Sequence, residues 1–370
     1  MLRPPAILRR SLAIVALLVT WLMFGAALTP AAGLPLEGGT PATGDIEVLP
    51  AAEPAQPPAA TPLRVASFNV RCANCSRSMR VNKREKRWEV RRAKVLDQIL
   101  AEQVDVIGVQ EASPGILKGT RTSQFEDLAD RLGAPYQLTN TNRYGCARDT
   151  SYKSCDEVDN GASADVRIIY NTERLTLLDQ GSRQLDNEKA TSGPRFVAWA
   201  IFADRVDGRR FFFATAHTEP GQSKAKRALR HRQAGMILDE IADHNPENLP
   251  LVLTGDLSST KLTAVNPVYN VLTDSGVVID PLGNTRKQKS AAKSIVSRMI
   301  DVHFDTLNDF KTKPTSRKGY ALGAHIDYIL TDPRVQVPEY KVVVDLKGNR
   351  KFSGVIPSDH NMVRATILLP

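Results

Sequence analysis

Six short stretches of this chain set acids, imidazoles or carboxamides inside or directly after apolar runs. They are Asn69, Gln110-Glu111, His217, Gly255-Asp256, His325-Ile326-Asp327-Tyr328 and Ser358-Asp359-His360. His217 follows Phe211-Phe212-Phe213-Ala214-Thr215-Ala216, and Asp256 follows Leu251-Val252-Leu253-Thr254-Gly255. A charged group beside a buried strand is costly unless it is paired or metal-bound. Gathered at strand ends along one edge of a sheet, such groups form a polar cleft able to hold a divalent cation. Two histidines there can divide acid and base work near neutral pH, and a carboxylate such as Asp327 can fix the tautomer of a partner histidine. Each residue alone has a plainer reading. Asp256 can be a turn residue, His217 a satisfied structural histidine, Asp327 the buried partner of an arginine, and Ser358-Asp359 a turn cap. The order of all six is what points to chemistry.

The elements that must position these groups follow from apolar periodicity. Leu63–Val70, Val104–Val109, Val166–Tyr170, Arg195–Phe202, Arg210–Ala216, Pro250–Leu253, Ile326–Leu330 and Met362–Leu369 read as strands. Asp207-Gly208 is the expected hairpin turn between the fourth and fifth of them. Residues 84–102 carry Trp88, Val95, Leu96 and Ile99 at helical spacing, and Ala228, Ala234, Ile237, Leu238 and Ile241 mark a second helix. Strands and helices mixed in this order indicate an α/β domain with hairpins as well as crossovers.

At the N-terminus, Arg3, Arg9 and Arg10 precede 18 uncharged residues from Ser11 to Leu28, with small residues near Ala31-Ala32. This predicts a secretory signal peptide over residues 1–32 or, uncleaved, an anchor through residues 11–28. Either puts the remainder outside the cytoplasm, secreted or held on the outer face of the cell membrane. Membrane contact is then confined to that segment. Residues 29–62 hold eight Pro and eight Ala and no aromatic residue, so 33–62 read as a Pro/Ala-rich spacer. Residues 63–370 form one expected domain, monomeric, without an internal repeat. The four cysteines Cys72, Cys75, Cys146 and Cys155 suit disulfides in an exported protein, most simply Cys72–Cys75 and Cys146–Cys155. A redox Cys-x-x-Cys and a four-cysteine zinc site are the alternatives; the wide spacing of the second pair opposes zinc.

In this order the six stretches resemble the endonuclease/exonuclease/phosphatase superfamily over about residues 63–370. The resemblance implies a four-layer α/β/β/α sandwich with two mixed β-sheets and a divalent-metal site at one edge. It implies phosphoester hydrolysis by in-line attack of water, with Mg²⁺ as cofactor and Mn²⁺ or Ca²⁺ as substitutes. Carried over residue by residue, Glu111 is the principal metal ligand, with Asn69 and Asp359 beside it. Asp256 orients or deprotonates the water, and His360, oriented by Asp327, is the general base or a phosphate contact. His217 serves the phosphate or leaving-group side, with Asp165 at a plausible place for its acidic partner. Trp88-x-x-Arg91 also matches the family pattern, although a core-facing Trp and a bridging Arg would explain it equally. One departure stands out: the family's Gly-Asp-x-Asn is here Gly255-Asp256-Leu257-Ser258, so Ser258 takes the place of an amide with longer reach.

The charge balance narrows the substrate. The chain has 49 Lys+Arg against 40 Asp+Glu, and the first 62 residues hold three of the former and four of the latter, leaving +10 on residues 63–370. Nine Lys/Arg and two Glu lie between Arg77 and Lys94, a second basic cluster is Lys224, Lys226, Arg227, Arg230 and Arg232, and a third is Lys311, Lys313, Arg317 and Lys318. Such surfaces attract polyphosphate chains, though a basic cluster can also be a solvated face. The expectation is an exported nuclease acting on DNA and RNA, with Arg227 and Arg230 reaching the backbone. The alternatives are a sphingomyelinase-type phospholipase or small-molecule phosphatase with the same centre, and a catalytically degenerate binding module. A composition of 42% apolar and 24% charged residues excludes a wholly disordered or collagen-like chain.

Overall fold

The computed structural model describes residues 59–73, 75, 83–139, 141, 166–188, 190, 193–262, 267–283 and 294–370. Residues 1–58, which hold the expected signal or anchor and most of the expected spacer, lie outside the described residues, as do Cys146, Cys155 and Asp165. Residues Pro57–Pro370 cluster as one compact unit.

The chain runs β1 (Leu63–Asn69), α1 (Trp88–Ala101), β2 (Val106–Gln110), α2 (Gln124–Leu132), β3 (Tyr136–Leu138), β4 (Arg167–Asn171), β5 (Leu175–Gln184), β6 (Phe196–Asp204) and β7 (Arg210–His217). It continues through α3 (Lys224–His244), β8 (Leu251–Asp256), α4 (Pro267–Asp274), β9 (Arg298–Ile300), β10 (Asp327–Thr331), β11 (Gln336–Val342), the short β12 (Leu346–Lys347) and β13 (Lys351–Phe352), and β14 (Val363–Leu368). Seven strands form one sheet in the order β3-β4-β2-β1-β14-β11-β9, and five form a second in the order β10-β8-β7-β6-β5. Both sheets are mixed: β1 pairs with β2 in parallel and with β14 antiparallel, and β8 pairs with β7 in parallel and with β10 antiparallel.

Strand alternation makes four layers of these elements. In β1, Leu63 and Val65 enter a core shared with Phe211 and Phe213 of β7 and Val252 of β8, so the two sheets pack face to face there. Ala66 and Phe68 point the other way, against Trp88, Val95 and Ile99 of α1 and Phe125 and Leu128 of α2. In the second sheet Phe212, Ala214, Leu251 and Leu253 face Ala234, Ile237 and Ile241 of α3 and Val268 and Leu272 of α4. The α/β/β/α sandwich is thus built by strands apolar on both faces, which explains why their sequences read as continuous apolar runs. The helix starts are locally encoded. Ser123 caps α2 in a reciprocal capping box with Glu126, and the Ser223 side chain accepts from the N–H of Lys226 at the start of α3. Among the described residues no helix is long and apolar enough to cross a membrane.

Candidate active site

The apolar interior between the sheets gives way to polar residues at one end, and the change is strand by strand. On the inward-facing register, Val65 is followed by Ser67 and Asn69, Val106 by Gly108 and Gln110, Phe213 by Thr215 and His217, and Val252 by Thr254 and Asp256. β10 runs antiparallel to β8, so its first residue, Asp327, pairs with Asp256. His217 and Asp256 are register partners across the parallel β7–β8 pair. Gly108 sits beneath the site because nothing larger fits: a Cβ there would lie 2.3 Å from Thr215 Oγ1 and 2.4 Å from Thr254 Oγ1. Gly255, at φ 150°, similarly leaves room for the Ala216 carbonyl, which a Cβ would meet at 2.1 Å.

Asp256 Oδ2 is the point of convergence. Asn69 Nδ2 donates to it at 2.9 Å, His217 Nε2 lies at 3.5 Å and His360 Nε2 at 3.7 Å. The other carboxylate oxygen accepts the Ser258 backbone N–H at 2.8 Å. His360 Nδ1 donates to Asp327 Oδ2 at 2.9 Å, and Asp327 itself is fully buried. Asn69 also bridges to Glu111 Oε1 at 3.2 Å, and Glu111 Oε2 accepts the Cys72 backbone N–H at 3.1 Å. Arg71 stands between two acids, Nη1 at 3.6 Å from Glu111 and Nε at 3.8 Å from Asp359, and also pairs with Glu85 at 3.2 Å. Ser358 ties the last loop to β1 by donating to the Asn69 carbonyl at 2.6 Å. Three non-glycine residues around this centre, Arg71, Glu111 and Ser258, hold left-handed backbone at φ 57°, 59° and 48°. Such strain persists where surrounding contacts over-determine it, which is common at functional sites.

Electrostatics divides the ionisable groups. Burial pushes the Glu111 carboxyl up, but His217, Arg71, His360 and Arg195 outweigh it and hold it at about 2. Burial is likewise overcome at Asp256, which His360, His217 and the Asn69 and Ser258 hydrogen bonds keep below the ordinary carboxylate value. Asp359 goes the other way: burial and neighbouring Glu111 push it up to about 6. Burial opposes a charge on His360 as well, yet Asp327 and Asp256 raise it well above the ordinary imidazole value. The site therefore holds a fixed carboxylate pair, Glu111 and Asp256, facing a cationic imidazole.

The six stretches do meet, with differences from expectation. Asn69 was expected among the metal ligands; its oxygen accepts the Arg71 N–H at 3.0 Å and its NH₂ faces the carboxylates, so it bridges Glu111 and Asp256. Ser258 was expected to touch substrate, but its hydroxyl lies 3.2 Å from the Thr218 carbonyl and 3.4 Å from Asp256 Oδ1, so its one proton is spent inside the protein. Arg230 was expected on the substrate side; it is 1% exposed and donates to the Glu219 and Gly221 carbonyls. Arg227 donates to the Gln222 carbonyl. His217 has Asp256 near its Nε2 at 3.5 Å and a cation against its ring, Arg195 Nη1 lying 2.6 Å from its Nδ1; the acidic partner expected at Asp165 lies outside the described residues. His325 stays outside the centre, buried with Nε2 2.9 Å from the Val302 carbonyl, and burial lowers it to about 4.

Sequence reasoning overlooked Arg71 and Arg195, whose signal was adjacency alone, two residues after Asn69 and at the start of a strand. Arg91, read as a bridging arginine, is one. The guanidinium is buried and donates to the carbonyls of Val70, Arg71 and Pro357, clamping the end of β1 to the loop that carries Asp359 and His360. Trp88 Nε1 donates to Asp127 of α2 at 2.7 Å.

The donor set suits a hard cation. Asp256, Asp327 and His360 bring candidate ligand atoms within 4.8 Å of one another, as do Cys72, Cys75 and Glu111, but a protonated His360 has no lone pair to give a metal. The second group is not available as it stands, because Cys72 and Cys75 are joined in a disulfide with Cα atoms 5.3 Å apart. Glu111, ionised and the more exposed of the site carboxylates at 19%, is the accessible oxygen donor.

An α/β/β/α sandwich whose two sheets converge on paired acids and imidazoles at one edge defines a phosphoester-hydrolase type of centre. The Endonuclease/Exonuclease/phosphatase family model matches residues 66–360, and the chain belongs to that family. Solved structures share the fold. A mannosyl-6-phosphatase of Bacteroides thetaiotaomicron VPI-5482 is 20% identical at TM-score 0.60, covering 83% of this chain and 100% of its own. The human Nocturnin catalytic domain with bound sulfate is 17% identical at TM-score 0.54, covering 84% and 94%. D. rerio TDP2 with a single-strand DNA product is 15% identical at TM-score 0.51, covering 83% and 99%. No curated protein sequence matches significantly.

Proposed function

We propose that this chain is an exported, Mg²⁺-dependent phosphoester hydrolase that cleaves nucleic acid. The observation that carries the catalytic part is the convergence of Asn69, His217 and His360 on one oxygen of Asp256, with Glu111 one hydrogen bond away. A cation bound at Glu111, with Asp359 across Arg71, would neutralise phosphate charge and leave most of its waters in place. Asp256, kept ionised, accepts a proton from an attacking water and is aimed by Asn69 and the Ser258 N–H. His360, kept cationic by Asp327, donates to a phosphate oxygen, so of its two expected roles the phosphate contact fits. Arg195, against the ring of His217, adds a fixed positive charge on that side of Asp256.

Support for nucleic acid is the charge of +10 on residues 63–370 together with exposed Lys83, Arg84, Lys86 and Arg87 ahead of α1 and exposed Lys313, Arg317 and Lys318. A phosphomonoester reading is favoured by one observation: the basic start of α3 is largely engaged internally, Lys226 by Glu219, Arg232 by Asp186 and Arg230 by carbonyls. The deciding experiment assays the protein with Mg²⁺ on plasmid DNA, RNA, sphingomyelin vesicles and sugar or inositol phosphates, with a chelator control. Cleavage of DNA or RNA, abolished by chelator and by Glu111→Gln, is expected. Turnover confined to small phosphates or to the lipid refutes the nucleic-acid assignment, and full activity in chelator refutes the metal.

A further inference from the structure

Beyond Val70, whose N–H still reaches the Gln110 carbonyl of β2 at 3.0 Å, the chain leaves the sheet. Three consecutive backbone N–H groups, those of Arg71, Cys72 and Ala73, instead donate to side chains: Asn69 Oδ1 at 3.0 Å, Glu111 Oε2 at 3.1 Å and Gln124 Oε1 at 2.7 Å. Arg71 adopts left-handed backbone to make this possible, and its carbonyl accepts from Gln124 and Arg91 at 2.9 and 3.0 Å. Arg71 and Ala73 are therefore fixed from α1 and α2. Cys72, which carries the N–H on Glu111, has no such anchor on its own main chain among these contacts. Its side chain is instead bonded to Cys75 one turn later.

We infer that the Cys72–Cys75 crosslink is a positioning element for Glu111, holding the Cys72 N–H against the carboxylate that takes the metal. The inference rests on the metal-dependent reading of the site. The crosslink sets the side-chain direction of Cys72 and so restrains the backbone turn that points its N–H at Oε2. That N–H orients the carboxylate and satisfies one lone pair, leaving the remaining lone pairs for the cation. Groups in this outer position around a metal ligand typically change metal affinity by 10- to 100-fold when removed. While the bond is intact the two sulfurs are not themselves ligands. Exchange with a dithiol, which is oxidised to its own disulfide while its two protons and two electrons convert Cys72 and Cys75 to thiols, releases Cys72 and loosens Glu111.

The test measures Mn²⁺ affinity by electron paramagnetic resonance on the full chain and on Cys72→Ser/Cys75→Ser, with Cys146→Ser/Cys155→Ser and Glu111→Gln as controls. The double-serine variant at 72 and 75 is expected to bind Mn²⁺ about tenfold more weakly. Its turnover should recover when Mg²⁺ is raised about tenfold, a pattern that general destabilisation does not produce. The variant at 146 and 155 should bind as wild type. Equal Mn²⁺ affinity in wild type and the variant at 72 and 75, with binding lost in Glu111→Gln, overturns the positioning role and leaves the metal reading intact. Absence of Mn²⁺ binding in the wild type overturns both.

Discussion

His360 and Asp327 form a buried imidazole–carboxylate pair whose charge arrangement depends on both members. Replacing Asp327 by Asn keeps an acceptor for Nδ1 but removes the charge that raises His360. Asp327→Asn is expected to lower kcat by about 10³-fold with a small change in KM, as for other displaced acid–base groups; steady-state kinetics checks this. Ser258 behaves differently. Its backbone N–H serves Asp256 and its hydroxyl reaches the Thr218 carbonyl. Ser258→Ala should therefore cost about 1 kcal/mol in denaturant unfolding, yet leave kcat within a few fold. A 100-fold loss of kcat would show that the hydroxyl touches substrate.

At the scale of elements, the site exists because β2, β7 and β8 approach closely below it. Gly108 of β2 is the contact point, and its backbone is not in the left-handed region, so only space forbids a side chain. Gly108→Ala forces the Thr215 and Thr254 hydroxyls apart, where Gln110 Nε2 also donates to Thr215 Oγ1 at 2.8 Å. Overpacking of this kind costs about 1–3 kcal/mol. The expected result is a lower denaturant midpoint together with a fall in activity, because β1 and β2 carry Asn69 and Gln110 while β7 and β8 carry His217 and Asp256. Unchanged stability would mean that the sheets can separate there without strain. Arg91 acts at the same scale by joining α1, the end of β1 and the Pro357 carbonyl.

For the whole molecule, acid stability depends on buried histidine outside the centre. His325 is neutral in the fold at pH 7, since burial lowers it to about 4 from an ordinary 6.5. Above pH 6.5 neither state binds the proton. Between 6.5 and 4 the unfolded chain does and the folded one does not, so stability falls with falling pH, by about 3 kcal/mol in all from this group. Asp359, at about 6 in the fold, works in the opposite sense over part of that range. Comparison with His325→Gln, whose amide can still donate to the Val302 carbonyl, removes the shared contributions. The variant should lose less stability between pH 6.5 and 4 than wild type, measured as the urea midpoint at each pH. Equal slopes would show that His325 is protonated in the fold.

Much of this architecture was legible in the sequence because strands apolar on both faces give unbroken runs whose polar ends stand out. Those runs located β1, β2, β4, β6, β7, β8, β10 and β14 to within a few residues, and their ends named Glu111, His217, Asp256, Asp327 and His360. β11 escaped because Pro338 sits at an irregularity in its pairing between Gln336 and Glu339, and β3 and β9 are only three residues long. What the sequence by itself determined was which chemical groups stand at strand ends, since burial periodicity is local. Only the tertiary structure decided their partners: that Asn69 donates to two carboxylates, that His217 meets Arg195, that Arg230 is spent on carbonyls, and that Cys72 holds Glu111. Those choices depend on side chains far apart in the chain arriving within 3–4 Å of one another, and residue spacing carries no record of that.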